Sequence, residues 1–265
     1  MTRVYVEGVG LLGPGLQGWA AGAPVLAATA DYVSAPTVVP VSQLLPAAER
    51  RRAGLPVKLV LAVGEEAFAN AGRDPGATAT VFTSSSGDGE TLHKMCEGLA
   101  GEDRQISPTR FHNSVHNAPA GYWSIAVGAR EASTSLCGHD ASFAVALIDA
   151  YAQVVAENTA VALIACDQPY PEPMNGVRPI AASVAIGVVL TPQPTPRSLA
   201  ALQITLADAD GGETAMHDAQ LETLRLGVPA ARALPLLAAI ARGGASTVEI
   251  GYTGALKLVA AVGPC

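Results

Sequence analysis

The sequence contains few basic residues and no long apolar run. Lys and Arg together number 16 of 265 residues, and the formal net charge is -7. Because a nucleic-acid surface needs clustered positive charge, we expect no nucleic-acid partner. The apolar stretch Ile180–Leu190 is shorter than the roughly 20 residues of a membrane-spanning helix, and MTRVYVEGVG lacks the apolar core of a signal peptide. We therefore expect a soluble, cytoplasmic protein without a membrane span.

Patterns typical of metal sites and disulfide frameworks are also missing. No two cysteines form a CxxC pair; they are Cys96, Cys137, Cys166 and Cys265. His112 and His116 have a spacing of four residues, but no third ligand accompanies them, and Pro108 and Pro119 argue against a regular helix in this stretch. We expect irregular structure from Ser107 to Pro119, with no metal and no cofactor.

The hydrophobic content is high, at 49%, and it alternates between strand-like and helix-like periods. Helix 141–156 is apolar on all sides, which predicts a central position. The linker TPQPTPRS separates these elements from a shorter tail containing a strand, two helices and a terminal hairpin around Gly251 and Gly254. Predicted strands cover 3–10, 77–82, 132–136, 160–165 and 182–190, and predicted helices cover 56–71, 121–127 and 141–156, with another from about residue 91.

Three segments, in order along the chain, resemble the β-ketoacyl synthase family. They are the opening RVYVEGVGLLGPG, the helix NAPAGYWSIAVGAR and the closing hairpin VEIGYTGALKLVAAV, where Ile250, Tyr252 and Thr253 replace the usual residues. The resemblance implies an α/β, thiolase-like layered α-β-α-β-α fold with a truncated second half. Residues 1–195 would form the N-terminal thiolase-like half and residues 196–265 the shortened C-terminal half. FHNSVHNAPAGYWSIAVG is similar to the chain length factor subunit of aryl-polyene type II polyketide synthases.

The resemblance also locates the position of the catalytic nucleophile. The family places a cysteine where a strand turns into a helix, because a thiolate there can form a thioester. Counting forward from Ala120-Gly121, and backward from the strand VALIAC, gives Asp140 at this position. An acylated carboxylate would at best be a mixed anhydride, which does not persist in water as a thioester does, but Asp is a good helix N-cap. We therefore expect Asp140 to preserve the fold without the chemistry.

Cys137 is the rival nucleophile, since it lies three residues before Asp140. A local slip in register could bring this thiol to the turn. The alternative is that Cys137 is a small apolar residue at the end of a buried strand, where free cysteines commonly lie.

The family's second half supplies two histidines that assist decarboxylation, in the motifs His-Gly-Thr-Gly-Thr and Gly-His-x-x-x-Ala-Ala-Gly. Both motifs are missing here, and His217 is the single histidine after Cys166. The resemblance thus predicts a non-catalytic subunit. Two alternatives stay open: an active β-ketoacyl-ACP synthase that uses Cys137, and a stand-alone acyl-binding protein.

By the same resemblance, the stretch from Ser107 to Pro119 lies at a dimer interface and closes the acyl tunnel. The candidate tunnel or interface residues are Phe111, His112, Val115, His116 and Asn117. Simple interface packing is the alternative role for each. We expect heterodimer formation with a full-length ketosynthase, and contact with an acyl carrier protein through that partner, because a chain of charge -7 does not attract an acidic carrier.

Overall fold

The computed structural model describes residues 2–102 and 104–265. Within them the chain forms nine strands, which belong to one mixed sheet. These are β1 (Val4–Gly13), β2 (Leu16–Gln17), β3 (Ala79–Thr83), β4 (Ser133–Leu136), β5 (Val161–Asp167), β6 (Val184–Thr191), β7 (Ala200–Asp208), β8 (Ser246–Gly251) and β9 (Leu256–Gly263).

Ten α-helices connect these strands in the described part of the chain. They are α1 (Trp19–Leu26), α2 (Ala47–Arg52), α3 (Leu55–Ala71), α4 (Gly89–Ala100), α5 (Pro108–Asn113), α6 (Ala118–Val127), α7 (Ser142–Glu157), α8 (Met174–Val177), α9 (Ala219–Gly227) and α10 (Leu234–Arg242). No helix among the described residues is long and apolar enough to cross a membrane.

The strand order is β4-β3-β5-β6-β1-β7-β9-β8, with β2 paired to β1 at the side. Strands β3, β4 and β5 are parallel, and the remaining pairs along this order are antiparallel. Strand β1 pairs with β6 along most of its length and with β7 at residues Val4 to Val6. The first strand, β1, therefore joins four strands, β4-β3-β5-β6, to the three strands β7-β9-β8 from the end of the sequence.

Helices cover the five-stranded part of the sheet on both faces. On one face, α7 packs on β3 and β5, and the 3-10 turn Pro229–Ala233 contacts both α7 and α10. Helix α10 packs in turn on β8 and β9, so one hydrophobic core includes Phe143, Leu163, Leu237 and Leu258. On the opposite face α3 and α6 form a second core around the buried Trp123.

Glycine permits α3 to lie directly on the sheet. A Cβ at Gly8 would stand 2.1 Å from the carbonyl oxygen of Ala67, and one at Gly10 would stand 2.0 Å from that of Val63. No side chain fits into either gap. The glycines of the opening segment are thus needed for packing between the strand and the helix.

The predicted α/β fold is confirmed by the mixed sheet and its covering helices. Helix α7 corresponds to the predicted central helix; its first half is buried, whereas Ala152 and Val155 near its end are exposed. The tail contains the predicted strand, two helices and hairpin. The expectation of irregular structure before Pro119 is wrong, because α5 and α6 begin there. Pro108 and Pro119 occupy the first turns of these helices, where a missing backbone N–H removes no hydrogen bond.

Candidate functional site

The carboxyl ends of the three parallel strands meet at one edge of the sheet. Strand β3 continues into Ser84 and Ser85, β4 into Cys137, and β5 ends at Asp167. The thiol of Cys137 lies 3.5 Å from the carbonyl oxygen of Ser85. Loops at this edge of parallel strands often contain functional groups.

Asp140 lies in a 3-10 turn, His139–Ala141, directly before α7. Its carboxylate accepts a hydrogen bond from Arg178 Nη2 at 3.0 Å, and Arg178 also contacts the ring of His139. The expected helix cap is wrong: the N-cap position of α7 is Ala141, which offers no side-chain hydrogen bond. Asp140, whose side chain is 55% exposed, is held by the guanidinium instead.

The turn that contains Asp140 faces the end of the terminal hairpin across a cavity of about 330 Å³. The tail of the chain contributes Glu213, Arg232 and the stretch from Gly251 to Gly254 to its walls. Glu213 accepts a hydrogen bond from Arg232 at 2.9 Å. His217 is exposed in the loop before α9 and does not line this cavity. Carboxylates, guanidinium groups and backbone therefore surround Asp140, together with the ring of His139.

Cys137 is exposed rather than buried, so the expectation of a buried strand end is wrong for this residue. It lies five residues before α7 begins at Ser142 and is therefore not at the start of that helix. Cys96 is also exposed, whereas Cys166 is buried, and burial raises the pKa of its thiol far above the ordinary value. The structure brings Cys137 to the same edge as Asp140 but not to the helix terminus.

The five candidate interface residues lie on or beside α5. Phe111 and Val115 expose 63% and 48% of their surface, and His112, also exposed, packs its ring edge against Tyr122. His116 turns inward, with Nε2 3.0 Å from the carbonyl oxygen of Ser84. Asn117 is exposed at the N-cap of α6 without a side-chain hydrogen bond. This segment therefore combines an apolar outer surface with one inward link to the strand edge.

The family follows from a comparison of the sequence with protein-family models. The model described as "Beta-ketoacyl synthase, N-terminal domain" matches residues 23–236, which is most of the chain. The chain belongs to the β-ketoacyl synthase family. A comparison with curated proteins gives no match.

Solved structures confirm the fold of this β-ketoacyl synthase family member. The ketosynthase ApeO in complex with its chain length factor ApeC, from Xenorhabdus doucetiae, matches with a TM-score of 0.73 at 20% identity, over 98% of this chain and 100% of that one. The ishigamide ketosynthase/chain length factor gives 0.72 at 15% identity, over 98% and 99%. AntDE:AntF, an acyl-carrier protein with its ketosynthase, gives 0.75 at 11%, over 100% and 99%.

The sequence analysis missed Asp167, which lies at the same edge of the sheet, at the end of β5. Its carboxylate is 2% exposed and accepts hydrogen bonds from the backbone and hydroxyl of Ser85 at 2.8 and 2.6 Å, and from the backbone of Ala230 at 2.8 Å. Burial raises the pKa of this carboxyl, and these hydrogen bonds oppose the rise. The only signal in the sequence was an Asp at the end of an otherwise apolar strand.

Proposed function

We propose that this chain is the non-catalytic chain length factor of a ketosynthase heterodimer in type II polyketide, aryl-polyene or fatty-acid-like biosynthesis. The observation that carries the proposal is the ion pair between Arg178 and Asp140, the residue that counting along the sequence assigns to the position of the family nucleophile. Two of the similar structures are described as a ketosynthase with its chain length factor.

The geometry around Asp140 supports a loss of condensing chemistry. A condensing enzyme must hold an acyl chain as a thioester and stabilise an enolate. A carboxylate paired with Arg178 is a poor nucleophile, and the facing wall presents Glu213 and Arg232 instead of histidines. The thiol for the thioester would be missing on one side of the cavity and the histidines that stabilise the enolate on the other. Asp140→Cys alone would therefore not give condensation.

The surface beside β4 is suited to a protein partner. Strand β4 lies at one end of the sheet and pairs only with β3 within the described residues, which leaves one edge open. Such an edge is a template for pairing with another chain. Helix α6 packs next to β4 and presents Ile125, 63% exposed, one turn after Gly121. We propose that this surface and Phe111 bind the full-length ketosynthase.

Within such a heterodimer we propose that α5 and the following loop close the acyl tunnel. Phe111, His112 and Val115 are exposed in this chain, so a partner surface could cover them. Bulky side chains at a tunnel end limit its volume, since overpacking is destabilising. The acyl carrier protein would dock on the partner, because the net charge of this chain is -7. Residues 1–195 and 196–265 would act as the two thiolase-like halves.

Co-expression with a full-length ketosynthase encoded beside this chain tests the heterodimer. We expect a stable complex in size-exclusion chromatography, and Ile125→Asp is expected to weaken it at least tenfold because a buried unpaired charge is costly. Val177→Asp is the matched control: Val177 is 85% exposed on α8, and its substitution should leave assembly unchanged. Separate monomers of the native proteins would refute the proposal.

The tunnel role predicts that product length depends on α5 and its following loop. In the assembled complex, Val115→Ala and His112→Ala remove bulk and should shift the products to longer chains, read by mass spectrometry. Unchanged products from both variants, with assembly intact, would contradict a role in the tunnel and leave only interface packing.

The exposure of Cys137 favours one second candidate, an active condensing enzyme that uses this thiol. Cys137→Ala separates the two functions, because the chain length factor keeps full activity in complex without this cysteine. Loss of condensation, together with iodoacetamide labelling of Cys137 in the native chain, would establish the active enzyme instead.

A further inference from the structure

We propose that Asn113 is a positioning residue that fixes the end of the acyl tunnel, acting through Tyr122 on His112. This inference rests on the proposed function, because it concerns the same segment that would close the tunnel. Asn113 is the last residue of α5 and is 6% exposed, whereas the five residues before it in this helix are all exposed. Its side chain is therefore the part of α5 that enters the body of the protein.

The amide of Asn113 joins α5 to two other helices. Its Nδ2 donates a hydrogen bond to the carbonyl oxygen of Arg52 at 2.8 Å, and its Oδ1 accepts one from the hydroxyl of Tyr122 at 3.0 Å. Arg52 ends α2, where the backbone carbonyl groups have no partner within the helix. One buried side chain thus connects α5 to the end of α2 and to α6.

The neighbours of this amide determine its orientation. A carbonyl oxygen only accepts, so the carbonyl of Arg52 requires the nitrogen of Asn113 on its side and leaves Oδ1 facing Tyr122. Because Oδ1 also only accepts, the phenol donates its proton. Burial raises the pKa of the Tyr122 hydroxyl above its ordinary value of 10.0, so this proton stays in place at neutral pH.

Tyr122 in turn supports a candidate tunnel residue. It is 3% exposed, and the centroid of its ring lies 5.8 Å from that of the His112 ring, at an interplanar angle of 73°. Aromatic rings attract each other in this edge-to-face arrangement. Loss of the hydrogen bond from Tyr122 to Asn113 would free α5 to move outward, and the tunnel would become longer.

Product length in the assembled complex tests the inference. Tyr122→Phe removes the hydroxyl and keeps the ring, and we expect the ratio of longer to native-length products to rise about fivefold, the equivalent of one neutral hydrogen bond. Asn113→Leu should give at least the same rise. Mass spectrometry of the products gives the ratio, and size-exclusion chromatography checks that the heterodimer is intact.

Two comparisons separate positioning from a general effect on stability. Tyr32→Phe is the matched control, because it removes a hydroxyl that donates to the carbonyl oxygen of Pro14 at 2.8 Å, outside α5 and α6, and it should leave product length unchanged. In the Asn113→Leu background, Tyr122→Phe should add nothing, since both changes break the same hydrogen bond. A further rise there would show that Asn113 does not act through Tyr122.

The outcomes distinguish this inference from the proposed function. Unchanged products in Tyr122→Phe and Asn113→Leu, while His112→Ala still shifts them, would overturn the inference and leave the proposed function standing. Equal shifts in Tyr122→Phe and Tyr32→Phe would also overturn it, because they would indicate a general loosening of the chain. If His112→Ala and Val115→Ala change nothing either, the tunnel role fails and this inference fails with it.

Discussion

Asp167 connects two parts of the chain that are distant in sequence. One carboxylate oxygen accepts from Ser85 after β3, and the other accepts from Ala230 in the 3-10 turn before α10. Ser84, which also approaches Asp167, bonds through its carbonyl oxygen to His116 beside the candidate interface. The position of that interface therefore depends on a carboxylate buried in the strand edge.

Asp167→Asn should lower the free energy of unfolding by about 1–3 kcal/mol at neutral pH, because an amide N–H would face a backbone donor. Burial raises the pKa of Asp167 above its ordinary value of 3.8. The folded state therefore binds its proton more tightly than the unfolded state does. The native chain should gain stability over the variant as the pH falls through this raised pKa toward 3.8.

Urea unfolding across this pH range measures the difference. Asp208→Asn, at an exposed position, is the control and should leave the free energy of unfolding nearly unchanged. If the difference in the free energy of unfolding between the native chain and Asp167→Asn became smaller as the pH fell, this would contradict a raised pKa of Asp167. It would show that the hydrogen bonds outweigh the burial of the carboxyl.

For Asp140, the sequence predicted the position of the residue but not its interactions. Its position before the helix was predicted by counting, and the structure has it in the turn directly before α7. The capping role was wrong because Arg178, 38 residues later, pairs with the carboxylate. Local preferences alone do not reveal a partner that only the tertiary fold brings near.

At the scale of elements, α3 and β1 pack without any side chain between them at Gly8 and Gly10. Gly10→Ala should lower the free energy of unfolding by about 1–3 kcal/mol or more, because the new Cβ would collide with the Val63 carbonyl oxygen. Gly121→Ala on α6 is the matched substitution, since nothing lies within 4 Å of that Cβ. It should raise the stability by up to about 1 kcal/mol through helix propensity.

Denaturant unfolding of the two single variants gives the sign of each effect. The free energy of unfolding should fall in Gly10→Ala and rise in Gly121→Ala. A stable Gly10→Ala chain, equal to the native one, would mean that α3 does not lie directly on β1. Gly121 lies one turn before Ile125 of the proposed interface, so this comparison is made on the chain without its partner.

The order of strands and helices was predictable from the sequence, because apolar residues recur with a different period in strands than in helices. The central helix and the terminal hairpin were located within a few residues. Helix α5 was missed, since proline was read as a helix breaker although it occupies the first turn. A proline is compatible with a helix when it lies in the first turn, and residue propensities alone do not give that position.

At the scale of the whole molecule, the family pattern predicted the truncated second half, and the structure confirms it with three strands and two helices in the tail. A cavity of about 590 Å³ at the starts of α3 and α4 was not predictable, because its lining comes from segments around residues 52, 88, 110 and 168. Each of these side chains looks ordinary in sequence. Only the fold brings these four segments together.

The double pairing of β1 also has a consequence for synthesis on the ribosome. This strand is translated well before its long neighbours, β6 and, at Ala200 to Leu202, β7, and only Leu12 and Gly13 pair locally, with β2. Most of this buried strand must therefore wait unpaired until β6 has been translated. Exposed strand edges of this kind promote aggregation during folding. The nascent chain should accordingly depend on chaperones until its last third leaves the exit tunnel.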